Sequence, residues 1–166
     1  MNATAAALLG LLRDGPMSGG QLVAAAGQRF GSFFPVTRSQ VYRELPALAA
    51  VGLLTLGEQG PRASQQYAIT AVGRRAFKAW LAGGVGSDGL RSPLVLRLLH
   101  AGSLTGRQRA ELVRTGRAAY TARLTEARAA GRAALDEGDP YRKAVADFAL
   151  AHTRAMVKLL DSIPTE

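Results

Sequence analysis

The chain of 166 residues contains no cysteine. Disulfides, thiolate nucleophiles and cysteine-ligated metals are therefore excluded. Aromatic residues make up only 6%, so the few present are expected at well-defined positions. No apolar run approaches the roughly 18 residues that a membrane-spanning helix needs. The opening MNATAAALLGLL lacks the basic segment of a secretory signal. A cytoplasmic, soluble chain with no membrane partner is expected. Acidic residues are also in deficit: 12 Asp and Glu face 21 Lys and Arg, for a net charge of +9. A field of that sign attracts polyanions, of which nucleic acid is the commonest.

Catalytic constellations are missing too. An enzyme needs convergent acid, base or nucleophilic groups. His100 and His152 stand alone on different expected helices, with no carboxylate pair beside either. Asp136, Glu137 and Asp139 cluster, but around Gly138 and Pro140, where they read as a solvated helix break. No phosphate-loop, metal or triad spacing occurs. The expectation is no enzyme, no cofactor and no metal.

What is present is a succession of helices interrupted once by strands. The run from Thr4 to Leu12 is helical in length and stops at Gly15-Pro16. Ser18 with Gln21, and Thr37 with Gln40, are two capping boxes, each opening a helix by reciprocal satisfaction of orphan amides. The first carries the stripe Leu22, Val23 and Ala26. The second carries Val41, Leu45, Leu48 and Val51, one inward face at helical period. Pro46 inside this pattern is expected to kink the helix or shift its start, and Gly52 to stop it. Leu53 to Leu56 and Gln65 to Ile69 read as two short strands around a turn-rich segment, a β-hairpin. Thr70 caps a helix through Leu81, with Val72, Ala76, Phe77 and Trp80 expected inward.

A Gly-rich stretch then separates two regions of different composition. Residues 1–82 are expected to form one domain, 83–91 a linker and 92–166 a helical domain. The latter holds a short helix Leu94–Leu99, a long arginine-rich helix from Thr105 to about Ala134, and a last helix Tyr141–Leu160. On the last, Tyr141, Val145, Phe148, His152, Met156, Leu159 and Ile163 alternate spacings of four and three, a heptad-like seam. Gly116 and Gly131 fall inside the long helix, marking either close helix approach or a break.

The order helix, helix, turn, helix, two-stranded hairpin, helix is that of a winged helix-turn-helix. The fold class is thus mainly α with a small two-stranded β wing, a winged helix-turn-helix plus a C-terminal helical region, for which the family resemblance described below implies a dimerisation role. The third helix must turn an apolar face inward and a narrow polar face toward a major groove. Thr37, Arg38, Ser39, Gln40, Tyr42 and Arg43 lie at its polar start. Arginine can bridge guanine O6 and N7, and glutamine adenine N6 and N7. Arg62, Ser64, Gln59 and Gln65 at the hairpin tip suit the minor groove or backbone, and Arg74, Arg75 and Lys78 suit phosphates. Against this, Arg38 and Arg43 are also what a solvated helix face carries, and Tyr42 suits helix packing as well as base contact.

The stretch from Ala7 to Leu54 resembles the N-terminal half of the PadR family of transcriptional regulators. The resemblance rests on Leu8-Leu9-Gly10-Leu11-Leu12, Gly15-Pro16-Met17-Ser18-Gly19, Phe30-Gly31 through Phe34-Pro35, and Ser39-Gln40-Val41-Tyr42. It continues through Leu45, Leu48, Gly52-Leu53 and the run Tyr67 to Arg74. Pro93 to Gly102 and Pro140 to Lys143 are similar to the C-terminal region of the PadR members related to virulence activator alpha. Two departures stand out. The wing has Arg62 as its single basic residue and Gln65-Gln66-Tyr67 where a tyrosine pair often falls, and Gly20 replaces a common aromatic.

The resemblance implies a sequence-specific DNA-binding regulator, a repressor by family habit, that binds a palindromic operator in double-stranded DNA as a homodimer. Two copies would set recognition helices roughly 34 Å apart. Leu96, Leu99, Val145, Phe148, Met156 and Leu159 are the expected dimerisation residues, joined by Leu8, Leu9 and Leu12 of the first helix; the alternative is a purely intramolecular core. The resemblance further implies release by a small, often aromatic, effector, with Phe77, Trp80 and Tyr120 as pocket walls. The competing function is a winged-helix protein-interaction module with little DNA affinity, which the thin wing favours.

Overall fold

The structure is a computed structural model. It describes every residue except 32, 61–63, 85, 87, 88, 90 and 166, and nothing of the side chains of 58–60. The chain divides into two compact units, Met1–Gly86 and Ser87–Glu166. The Gly-rich stretch expected as a linker falls partly outside the described residues.

In the first unit, α1 (Ala3–Leu11) is apolar on nearly every side, and a helix of that kind is buried. It packs against α2 (Gly19–Phe30), α3 (Arg38–Ala50) and α4 (Ala71–Leu81). Leu8, Leu9, Leu11, Leu12, Leu22, Val41, Leu45 and Leu48 form the centre of this core, closed below by Leu54 and Ile69. Both expected capping boxes are present, with side chain and backbone satisfied reciprocally at Ser18/Gln21 and Thr37/Gln40. Pro46 neither shifts the start of α3 nor breaks it. Its ring is exposed, where the missing N–H is least costly. Gly52, at φ 72°, ends the helix. Its N–H donates to the Ala49 carbonyl and that of Leu53 to the Leu48 carbonyl, both at 2.9 Å, a Schellman arrangement.

The wing is three-stranded rather than two-stranded. β2 (Leu54–Gly60) and β3 (Ser64–Ile69) form the expected hairpin, and β1 (Met17–Ser18) adds to the other edge of β3, all antiparallel. Met17 faces Tyr67 and Ser18 faces Gln66. On α4 the inward face is Gly73, Ala76 and Phe77; Val72 and Trp80, expected inward, are exposed. The reason is a close approach. The position of a Cβ on Gly73 lies 2.2 Å from the Leu53 carbonyl oxygen, so the helix touches the sheet through backbone instead of through a large side chain.

The second unit is helical. α5 (Pro93–Leu99), α6 (Gly106–Asp136) and α7 (Pro140–Asp161) pack around Leu98, Tyr120, Met156 and Leu160, with α6 and α7 in contact along their lengths. A third capping box, Thr105 with Gln108, opens α6. Gly116 is a close-approach site: a Cβ there would lie 3.1 Å from Leu160 and 3.2 Å from Leu94. Gly131 meets nothing. On α7 the face turned to the unit's interior is Ala149, Thr153, Met156 and Leu160. The expected seam is offset from it. Tyr141 is 83% and Phe148 59% exposed, and Val145 is exposed as well. None of the described helices is long and apolar enough to cross a membrane.

Candidate nucleic-acid interface

The start of α3 is built outward by simple means. Thr37 stands in extended backbone as N-cap and accepts from the Gln40 amide at 3.3 Å, while the Gln40 Oε1 accepts from the Thr37 amide at 2.8 Å. That fixes the helical phase so that Val41, Leu45 and Leu48 point into the core. The same phase leaves Thr37, Arg38, Ser39, Tyr42 and Arg43 exposed. Gln40 is half-buried and its oxygen is committed to the cap, to which the Thr37 hydroxyl also donates at 3.0 Å. A bidentate grip on adenine needs both ends of the amide, so Gln40 can read a base in that way only by giving up the cap.

Tyr42 packs between helices while staying exposed. One face of its ring lies on α2: a Cβ on Gly19 would meet the ring at 3.0 Å. The ring also lies 5.4 Å from the Arg38 guanidinium, a cation–π distance. Arg38 and Tyr42 thus form a stack on the outer surface. Arg43 reaches the neighbouring Glu44 at 3.3 Å and keeps most of its surface open.

At the wing, Arg62 lies outside the described residues and nothing is described of the Gln59 side chain. Ser64 is half-buried at the start of β3. Gln65 is occupied, donating to the Gly57 carbonyl at 3.1 Å and the Gln66 carbonyl at 2.9 Å. Arg74, Arg75 and Lys78 are exposed on α4.

The residues expected at a ligand pocket divide. Phe77 packs on α1, where a Cβ on Gly10 would touch its ring at 3.2 Å. Tyr120 is buried in the core of the second unit, with the Arg123 guanidinium 4.8 Å from its ring. Trp80 is exposed. Shallow grooves along α6 and α7, one lined by Arg128, Leu135, Lys143 and Asp147, the other by Val113, Arg114, Arg117 and Thr121, include none of the three.

The dimerisation set also divides. Leu8, Leu9 and Leu12 are buried in the first unit's own core, and the expectation that they join an interface is corrected: α1 is surrounded by its own helices. Met156 likewise belongs to the second unit's core, and Leu159 packs on it half-buried. Leu96, Leu99, Val145 and Phe148 are exposed. Asn2 and Glu44, not foreseen as part of the surface, adjoin it; Asn2 donates to both Glu44 oxygens, at 3.2 and 3.3 Å.

The first unit is therefore a winged helix-turn-helix whose recognition helix presents two arginines and a tyrosine. Residues 8–79 match the transcriptional regulator PadR-like family. A curated relative, the negative transcriptional regulator PadR of Bacillus subtilis, is 33% identical over 78 residues, 45% of this chain. The match spans 43% of that relative's length. Among solved structures, smu.1604c of Streptococcus mutans is similar at TM-score 0.84 and 20% identity, over 97% of both chains. Bacillus subtilis PadR in complex with operator DNA is similar at TM-score 0.74 and 23% identity, over 98% of this chain and 97% of that one. The same protein in complex with p-coumaric acid is similar at TM-score 0.64 and 22% identity, over 98% and 96%. At such identities these structures speak for the fold.

Proposed function

We propose that the chain is a sequence-specific, double-stranded-DNA-binding transcriptional repressor that acts as a homodimer on a palindromic operator in the cytoplasm. The observation that carries this is the outer face of α3. Thr37, Arg38, Ser39, Tyr42 and Arg43 are exposed together at its N-terminal end while its inner face is locked into the core. A helix N-terminus favours phosphate oxygens, and the two arginines are suited to guanine edges. The chain's net charge of +9 supplies the long-range attraction. The match to the PadR-like family, the negatively regulating relative and the operator complex of a structural neighbour support the same reading.

One winged helix reads few base pairs, so the reading needs two copies. The offset apolar stripe of α7, Tyr141, Val145 and Phe148, with Leu96 and Leu99 of α5, is the proposed contact between copies; all five side chains are exposed. A small aromatic effector is proposed as the signal for release, in keeping with the p-coumaric acid complex of the neighbour. Trp80, exposed at the end of α4, is its proposed contact. Such a ligand must favour the dimer geometry that does not fit DNA, since equal affinity for both states shifts nothing.

The test is electrophoretic mobility shift with a duplex that the protein itself selects from a random pool. Affinity should fall steeply with salt, with a slope of about −0.9 per phosphate contacted. Arg43→Ala should cost roughly 1–3 kcal/mol if Arg43 reads a base. Phe148→Asp should yield a monomer in sedimentation and lose the selected site. A chain that selects no duplex, or binds with no salt dependence, refutes the proposal.

A further inference from the structure

Glu44 stands out on an otherwise basic surface. Among the described residues it is the one acidic or basic side chain that is buried, at 9% exposure, and it sits on the recognition helix itself. Burying a carboxylate is costly unless hydrogen bonds replace its water. Asn2 provides two, from Nδ2 to both oxygens. The Asn2 Oδ1 meanwhile accepts from the Ala5 amide at 2.7 Å as the N-cap of α1. One side chain therefore ties the positive end of α1, which has no acid in its own first turn, to a negative charge on α3. The third donor is the Arg43 Nη2, at 3.3 Å onto Glu44 Oε1, from a guanidinium that stays 70% exposed.

We propose that Glu44 is a positioning and specificity residue of the DNA interface: it holds the Arg43 guanidinium and offsets its charge until a duplex takes that guanidinium over. The inference rests on the DNA-binding reading of α3. Its logic is competitive. A phosphate met at random must draw Arg43 from a carboxylate that also repels it. A correct base step offers two directed acceptors and repays the exchange. The carboxylate thus weakens indiscriminate binding more than specific binding, a repulsive element of the kind that discriminating surfaces use. Asn2 offsets the burial of the carboxylate from the far side, a support of the fold rather than of its charge.

Glu44→Gln removes the charge and keeps an acceptor for Asn2 and Arg43. It should bind a random-sequence 30-base-pair duplex roughly fivefold more tightly at low salt, with the gain shrinking as ionic strength rises. Its salt slope should steepen by about one, as one more cation becomes fully available to phosphate. The ratio of selected to random affinity should fall. In an Arg43→Ala background the same change should leave the slope alone, because the guanidinium it acts through is gone. Asn2→Ala should lower thermal stability with the slope unchanged, which separates support of the fold from control of charge. Glu44→Leu, apolar and of similar volume, gives the same shifts in slope and ratio should the glutamine variant fail to fold. A Glu44→Gln protein with wild-type slope and wild-type ratio overturns the inference while leaving DNA binding intact. A wild-type chain without salt-dependent binding overturns both.

Discussion

Gly73→Ala puts the contact between α4 and the wing to a test in which two effects of opposite sign compete. Alanine in a helix is favoured over glycine by about 1 kcal/mol, so an unobstructed site would be stabilised. Gly73 is obstructed. Its Cβ would stand 2.2 Å from the Leu53 carbonyl oxygen and 2.9 Å from the Ile69 Cγ1. Neither neighbour can give way cheaply. The Leu53 carbonyl accepts from the Thr70 amide and hydroxyl, both at 3.1 Å, and the same hydroxyl accepts from the Gly73 amide at 3.0 Å. Ile69 is part of the core. Relief requires α4 to move off the sheet, breaking the cap that starts it. Overpacking costs about 1–3 kcal/mol, and with a backbone atom as the obstacle the upper part of that range applies. The net loss is then about 1–2 kcal/mol after the propensity gain. For a unit of this size that lowers the melting temperature by roughly 5–15 °C, at about 4–8 °C per kcal/mol. Trp80 is the single tryptophan and lies on α4, so its fluorescence reports the first unit. A Gly73→Ala protein that melts at or above the wild-type temperature refutes the close-approach argument.

Gly131→Ala, where a Cβ meets nothing, should behave oppositely. A gain of about 0.5–1 kcal/mol is expected in thermal unfolding followed by circular dichroism. Thr37→Ala should lose about 1 kcal/mol through the missing cap and weaken DNA binding by loosening the phase of α3, measured in parallel by melting and mobility shift. On α6, the Arg114 guanidinium hydrogen-bonded to Glu111 holds that carboxyl below the usual carboxylate range. The pair's contribution is present above the ordinary value and lost as pH falls through the lowered one. Carboxyl NMR should show the Glu111 midpoint rising toward normal in Arg114→Ala; a fall would contradict the assignment.

Much of the first unit was legible because its signals are local. Ser18/Gln21 and Thr37/Gln40 sit three residues apart, and a capping box needs no knowledge of the rest of the chain. The stop at Gly52 is local as well. What escaped the sequence is long-range. β1 is two residues long and pairs with residues some fifty positions away, with no alternation of its own to announce it. Leu8, Leu9 and Leu12 read equally well as interface or core, and only the arrangement of three helices around α1 decides. On α7 the large side chains drew attention to the outer stripe. The inner face carries Ala149 and Thr153, whose smallness permits close packing but gives a weak hydrophobic signal. Asn2 and Glu44 were missed for the same reason: a hydrogen bond across 42 residues leaves no mark on spacing. The exposed polar start of α3 was readable because the inward positions fix the outward ones.

Ser18 belongs to two elements at once. Its backbone faces Gln66 in the ladder, and its side chain starts α2. Any tilt of the hairpin would therefore be felt at the first turn of α2. Tyr42 rests on that same turn, at Gly19, and carries Arg38 above it. The ladder of the sheet and the Arg38 guanidinium on the outer surface are thus linked through one serine and one tyrosine ring.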